Sequence, residues 1–336
     1  MTYTATGNIQ STDYNGFVST TSAGNVNVTW GQAANGAGYG QGNISTVAIG
    51  DTVTATQWST LFSTIANMAA HQGTTITSRT PYPVATNTIY ANAGVATDIA
   101  ACYANRANAA SVGTQFTGWT GSSSKTSTTG SGAAAWTIIW THTLTWANTA
   151  AYYSFFNAGG TVKWYNSKNS TGTVADLEWN AFTGFGGAGG KCAGNVVFTG
   201  SSASKTINGV TYSNGITAFG GSLTPTIPAT TGIFNLGTAN TTMFTQLDTG
   251  TAYSSNYVQI QAKVDSTSAP TTLTFYTTWY DAGDANTGST AQITGGTATS
   301  GISFGSAPAA IITVTPPETT NLANTWGSTT IVASVA

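Results

Sequence analysis

Residues 136–146, WTIIWTHTLTW, alternate without a break. Trp136, Ile138, Trp140, His142, Leu144 and Trp146 fall on one side of an extended chain, and Thr137, Ile139, Thr141, Thr143 and Thr145 on the other. A period of two with β-branched and aromatic residues predicts a strand with one face in a core. The pattern recurs toward the C-terminus. Val258, Ile260, Ala262 and Val264 share a side of 257–264, as do Leu273, Phe275, Thr277 and Trp279 in 272–280, with Pro270 in the connection. Further strands are predicted at 195–199, 206–212 and 310–315. Tyr152–Phe156 and Thr161–Tyr165 read as two strands joined by a hairpin turn at Asn157-Ala158-Gly159-Gly160, in which Gly159 and Gly160 supply the backbone freedom. The Gly/Ser runs 118–132 and 184–190 read as loops. Short strands separated by such turns predict an antiparallel β-sandwich over residues 113–336.

Upstream, residues 1–112 read as a smaller helix-containing region. Trp58, Leu61, Phe62, Ile65, Met68 and Ala69 recur at helical spacing and predict an amphipathic helix at about 55–71. Thr54 and Gln57 form a capping-box pattern at its start, and Gly73 is placed for a left-handed cap at its end. A second helix is predicted at 97–108, capped by Thr97 or Asp98, with Ile99, Cys102, Tyr103 and Arg106 on one side. Residues 12–15 can open a short helix toward Phe17 and Val18. Asn25–Trp30 alternates and reads as a short strand, and Pro81 and Pro83 mark an extended connection. The expected class is α+β, mainly β.

Composition narrows the function. Asp, Glu, Lys and Arg make up 5 % of the 336 residues, where a soluble domain typically has about 25 %. A net charge of -2 sets up little repulsion between copies, so self-association is expected. The eight Lys and Arg are scattered singly. They form no stripe for nucleic acid or anionic membranes. The first residues hold no charged segment followed by an apolar run, so no export leader is expected, and no apolar stretch is long enough to span a bilayer. Cys102 and Cys192 read as free thiols.

Candidate sites have plainer readings beside them. Asp176 and Glu178 could serve glycoside hydrolysis, although spacing along the chain does not set the distance such a pair needs. Asp281, Asp284 and Asn286 around a glycine faintly resemble a calcium loop, and a turn between strands is the simpler reading. His71 at a helix end and His142 on an aromatic strand face have no nearby partners for zinc and read as packed residues. The glycine loop 36–42 lacks the Lys-Ser/Thr of a phosphate site. Trp136, Trp140 and Trp146 read as core, with sugar stacking as the alternative. No catalytic residue, cofactor or metal is expected. The residues singled out are structural: Trp58, Leu61, Phe62, Ile65, Gly159 and Gly160.

Several blocks in order carry a resemblance. Asp13-Tyr14-Asn15, Gly38-Tyr39-Gly40-Gln41, Val53-Thr54-Ala55, Gln57-Trp58, Leu61 and His71-Gln72-Gly73 look like the N-terminal region of virion structural proteins of marine tailed bacteriophages, notably those of cyanobacteria. Tyr153, Phe155-Phe156-Asn157-Ala158-Gly159-Gly160, Trp179 and Tyr280-Asp281 are similar to later blocks of the same tail-fibre-like proteins. The resemblance implies a structural component, with copies of itself and other virion proteins as partners. It offers no catalytic residue to carry over. A surface suited to the outside of cells on a chain without an export leader fits particles that assemble in the host cytoplasm and leave by lysis. The expected role is a self-assembling tail or tail-fibre subunit. The alternatives are a host-recognition module that binds surface glycans, a capsid decoration protein, an extracellular filament subunit and, most distantly, a glycan-degrading enzyme.

Overall fold

The computed structural model describes residues 10–78, 94–109, 119–124, 136–167, 179, 182–183, 195–219, 224–248, 255–282 and 308–336. Among them lie the helices α1 (Ser11–Val18), α2 (Val26–Trp30), α3 (Ala55–Gln72), α4 (Gly94–Ala104) and α5 (Thr149–Asn157). The strands are β1 (Trp119–Ser124), β2 (Trp136–Thr145), β3 (Thr161–Ser167), β4 (Asn195–Phe198), β5 (Lys205–Ile207) and β6 (Val210–Tyr212). They continue with β7 (Ile216–Phe219), β8 (Thr241–Leu247), β9 (Tyr257–Val264), β10 (Thr272–Asp281), β11 (Ala309–Thr315) and β12 (Thr330–Val335).

The alternation in β2, β9 and β10 places these strands side by side. They are the centre of a five-stranded sheet in the order β12-β2-β10-β9-β8, and a second sheet runs β1-β11-β3-β4-β7, each neighbouring pair antiparallel. The apolar faces meet as a sandwich. Ile138, Trp140 and Leu144, Val258 and Ile260, and Leu273, Phe275 and Trp279 are buried, as are Val162 and Trp164, Val196 and Phe198, and Ile312 and Val314 from the other sheet. The Trp140 and Trp279 rings meet edge-on at 5.0 Å, and Phe198 and Phe275 pack across the sheets at 5.1 Å. Burying such a side chain contributes roughly 1.5–3 kcal/mol. The Trp279 indole N–H donates to Asn166 Oδ1 at 3.1 Å, so a polar bond also joins the sheets. Edge strands β1 and β12 close one side, where a Cβ on Gly121 would lie 2.3 Å from Ile331.

The amphipathic helix forms as its sequence predicts. Thr54 and Gln57 bond reciprocally, and Gly73 takes φ 67° at the C-cap. Trp58, Leu61, Phe62, Ile65, Met68 and Ala69 are buried, with Tyr14 and Phe17 of α1 edge-on to Trp58 at 5.6 and 6.2 Å. α4 begins and ends earlier than the predicted 97–108. Asp98 is buried within it and accepts from the Thr77 N–H at 3.3 Å, while Arg106 lies beyond it with its guanidinium over Tyr103 at 4.1 Å.

Five expectations are corrected. Asn25–Trp30 is not a strand: Val26–Trp30 is helical. Buried Asn27 donates to the Val18 carbonyl and exchanges two bonds with Ile44, at 2.8 and 2.9 Å, which fixes the turn against two segments at once. Tyr152–Phe156 is not a strand, and residues 157–160 are not a hairpin turn. The segment is α5, capped by Asn148, whose side chain accepts from the Ala151 N–H at 2.9 Å. Every residue from Ala151 to Asn157 is buried, so this helix has no polar face to show a period. Gly159 and Gly160 instead make its exit. Their N–H groups bond the Phe156 and Phe155 carbonyls at 3.2 and 2.8 Å, a Schellman arrangement with Gly159 at φ 97°.

The single strand predicted at 206–212 is a hairpin, β5–β6, turning at Asn208 and Gly209 with φ 52° and 77°. Both central residues at positive φ define the tight turn that matches strand twist. The predicted loop 118–132 contains β1, paired along its length with β11. The connection at Pro81 and Pro83, the loop 184–190, Cys192 and the carboxylates Asp176, Glu178 and Asp284 lie outside the described residues, as does Asn286.

Candidate functional site

The helical region and the sandwich meet where α3 ends. Pro316 and Pro317 follow β11, cannot extend its ladder, and lead the chain to Glu318. The last turn of α3 presents His71, fully buried, and its Nδ1 lies 2.8 Å from Glu318 Oε1. Burial alone would raise the Glu318 pKa. Hydrogen bonds from His71 and from the backbone and side chain of Asn321 reverse that effect and leave the carboxyl below its ordinary value. The Tyr39 ring stands edge-on to His71 at 4.9 Å, and its hydroxyl donates to the Arg106 carbonyl at 3.0 Å and accepts from Gln72 Nε2 at 2.7 Å. Burial raises the Tyr39 pKa.

Amide side chains complete the junction. Asn157, at the end of α5, donates to the carbonyls of Ala34 and Gly38 at 2.8 and 2.9 Å. Gln41 makes a reciprocal pair with the backbone of Ala323, at 3.0 and 2.9 Å. On the far side of α5, Lys205 of β5 is buried and its Nζ donates to the Phe156 carbonyl and, at 3.4 Å, to that of Asn157. An ammonium at the carbonyl end of a helix is favourable, yet burial pushes the Lys205 pKa down to about 7.

Between the β5–β6 hairpin and the outer side of β3 and β4 lies a cavity of about 250 Å3, lined by Thr161, Lys163, Val197, Tyr212 and the Pro316–Glu318 segment, with His71 behind it. A histidine held by a carboxylate is the arrangement that orients a general base. Among the described residues the lining holds the hydroxyls of Thr161 and Thr315 and the amine of Lys163, and no serine or cysteine. Glu318 also gathers Thr320 and Asn321, so the pair ties α3 to the segment after β11.

The other residues considered from sequence are dispersed. His142 is buried on the inner face of β2, and burial pushes its pKa down to about 4 against the opposing influence of the Ala310 backbone. Trp140 and Trp146 are core. Asp281 accepts from the Trp179 indole at 2.9 Å and from Asn256 at 3.4 Å, which makes it a strand-end anchor. Cys102 is a free, buried thiol, its pKa pushed up to about 12 by burial and by the charge of Asp98. Among the described residues no three His, Cys, Asp or Glu side chains gather at one place, and no helix is long and apolar enough to cross a membrane.

Glu318 and Lys205 belong to no sequence motif, and Gln41 and Asn157, which lie in blocks the sequence singles out, carry no local sign of their partners. The proline pair before Glu318 marks a strand end but does not point to His71. No family model matches the chain, and no curated protein or solved structure is significantly similar to it.

Proposed function

We propose that this chain is a non-enzymatic structural subunit of a phage particle, a component of the tail or tail fibre that assembles with copies of itself and with other virion proteins. The observation that carries the proposal is where the fold puts its few charges. Asp98, Asp248, Lys205 and Glu318 are buried. Asp13 closes the capping box of α1, Asp265 holds the turn at Thr271 and Thr272, and Asp281 anchors Trp179. Among the described residues these seven ionic groups are thus committed to contacts within the subunit, while Asp51 is exposed and Lys163 and Lys263 stand half-buried beside the Tyr165 and Tyr276 rings. In a chain that is 5 % charged, hydroxyls and amides are left to dominate the outside. Two such surfaces meet without stripping water from many ions, which would be costly where a charge stayed unpaired. The resemblance of the ordered sequence blocks to virion proteins of tailed phages supplies the context.

Sedimentation of the purified chain over a wide concentration range tests the assembly, and gold-labelled antibody against it tests the particle. Closed oligomers or concentration-dependent polymers, with label on the particle, are the expected result, trimers pointing to a fibre and open polymers to a tube or filament. A chain that stays monomeric at every concentration and labels no particle overturns the proposal.

A further inference from the structure

The two sheets differ on their outer sides. That of β3 and β4 is partly covered by the β5–β6 hairpin, where Ile207 and Tyr212 pack with Val197. Over the outer side of β12-β2-β10-β9-β8, no described element lies. Its composition is unusual for an uncovered face. Among the described residues the exposed large apolar side chains are Ile49, Ile139, Phe219, Leu247 and Val332, and strand register puts Ile139, Leu247 and Val332 on this one face. Tyr257 and Tyr280 stack there at 4.9 Å, and Lys263, the single ionic side chain of the five outward rows, lies 5.6 Å from the Tyr276 ring. Thr141, Thr143, Thr274 and Thr278 fill the middle. Exposed aliphatics, tyrosines and depleted charge are the marks of a protein interface core rather than of a solvated sheet.

We infer that this face is the contact between two copies of the chain, packed sheet against sheet; the inference rests on the self-assembly proposed above. Three features favour a second copy as occupant. Five strands about 4.8 Å apart and on average about 28 Å long give roughly 650 Å2, close to the roughly 800 Å2 each partner brings to a standard interface. The hydroxyl rows can donate and accept equally, so the face is compatible with itself, as a two-fold contact requires. A two-fold axis along β10 sets β9 of one copy over β2 of the other. Each Lys263 then meets the Thr143 side of its mate instead of the other Lys263, and no like charges are brought together.

The test is the dimerisation constant of the wild type, of Thr141→Lys/Thr278→Lys, of Ile139→Thr/Val332→Thr and of Ile49→Lys, measured by sedimentation velocity. The two lysines point outward and leave the core intact, which an unchanged Tm verifies. We expect the double lysine variant to weaken association at least about tenfold, the double threonine variant to weaken it less, and Ile49→Lys to leave it unchanged. Wild-type assembly that survives both face variants overturns this interface while the assembly reading stands. A wild type that never self-associates overturns this interface, and one that in addition labels no particle overturns both. Should the variants fail to fold, radical footprinting of the wild type decides. Protection of Tyr257, Tyr276 and Tyr280 on raising the concentration supports the face, and unchanged labelling overturns it.

Discussion

The imidazole of His71 and the carboxylate of Glu318 meet at 2.8 Å although 247 positions separate them, and both are buried. Removing one member of such a pair leaves the other without its partner, which costs about 3–5 kcal/mol when the group is well buried. Glu318→Ala is therefore expected to lower stability by about 3 kcal/mol and to loosen the segment after β11. Replacing both residues, His71→Leu with Glu318→Met, is expected to cost less than the sum of the single changes. Urea denaturation of the four proteins gives the coupling, and additive losses would show that the pair contributes nothing jointly.

Lys205 makes stability depend on pH in a direction opposite to the usual alkaline loss. Its folded pKa lies near 7, below the unfolded lysine value of about 10.4. Between those values the unfolded chain holds a proton that the folded chain has released, so unfolding is opposed more strongly as pH rises. Stability is expected to increase from pH 7 to about 8.5, with a slope of up to about 1.4 kcal/mol per pH unit; above that the buried Cys102 thiol, held up to about 12 in the folded chain, works the other way. Lys205→Met should abolish the slope. The raised pKa of Tyr14, pushed up to about 12 by burial, works the other way only above about pH 10. Chemical denaturation at successive pH values checks the window, and a flat wild-type curve would place the ammonium in a less buried site.

Gly159 and Gly160 are needed for different reasons. At φ 97° any side chain on Gly159 is strained, and a Cβ would also lie 2.6 Å from that of Ala109. On Gly160 the strain is absent, but a Cβ would stand 2.4–2.6 Å from the Phe155 ring. Gly160→Ala and Gly159→Ala are each expected to cost more than about 2 kcal/mol. Ala109→Gly should recover only part of the Gly159→Ala loss, because it removes the contact and leaves the backbone strain. Complete recovery in a denaturant titration would mean that φ at this position costs little.

What the sequence makes legible follows from which faces are wet. β2, β9 and β10 bury one side and leave the other outward, so their alternation is printed in the residues, and α3 shows its stripe for the same reason. α5 is buried on all sides from Ala151 onward, and Ala-Tyr-Tyr-Ser-Phe-Phe reads equally as an inner strand. β5 and β6 are three residues each, too short for a period, and only Asn208-Gly209 announces the turn. The junction is less legible still. His71 and Glu318, Gln41 and Ala323, and Asn157 and Gly38 are joined by bonds between distant segments, and no local pattern encodes a partner hundreds of positions away.

The helical state of α5 can be tested at a position that touches little. Ala150 is exposed, and its carbonyl accepts from Ser154 Oγ at 2.7 Å, one turn on. In a helix, Ala150→Gly costs about 1 kcal/mol through backbone entropy alone, and Ala150→Val costs about half as much or more. In a strand the order reverses for valine, whose branched side chain suits an extended backbone. Asn148→Ala is expected to remove a further 1 kcal/mol or so by taking away the bond to the Ala151 N–H. Thermal or urea unfolding should thus rank wild type above Val, and Val above Gly, at position 150. A valine variant more stable than wild type, together with a neutral Asn148→Ala, would return residues 149–157 to an extended strand and with them the turn at Gly159.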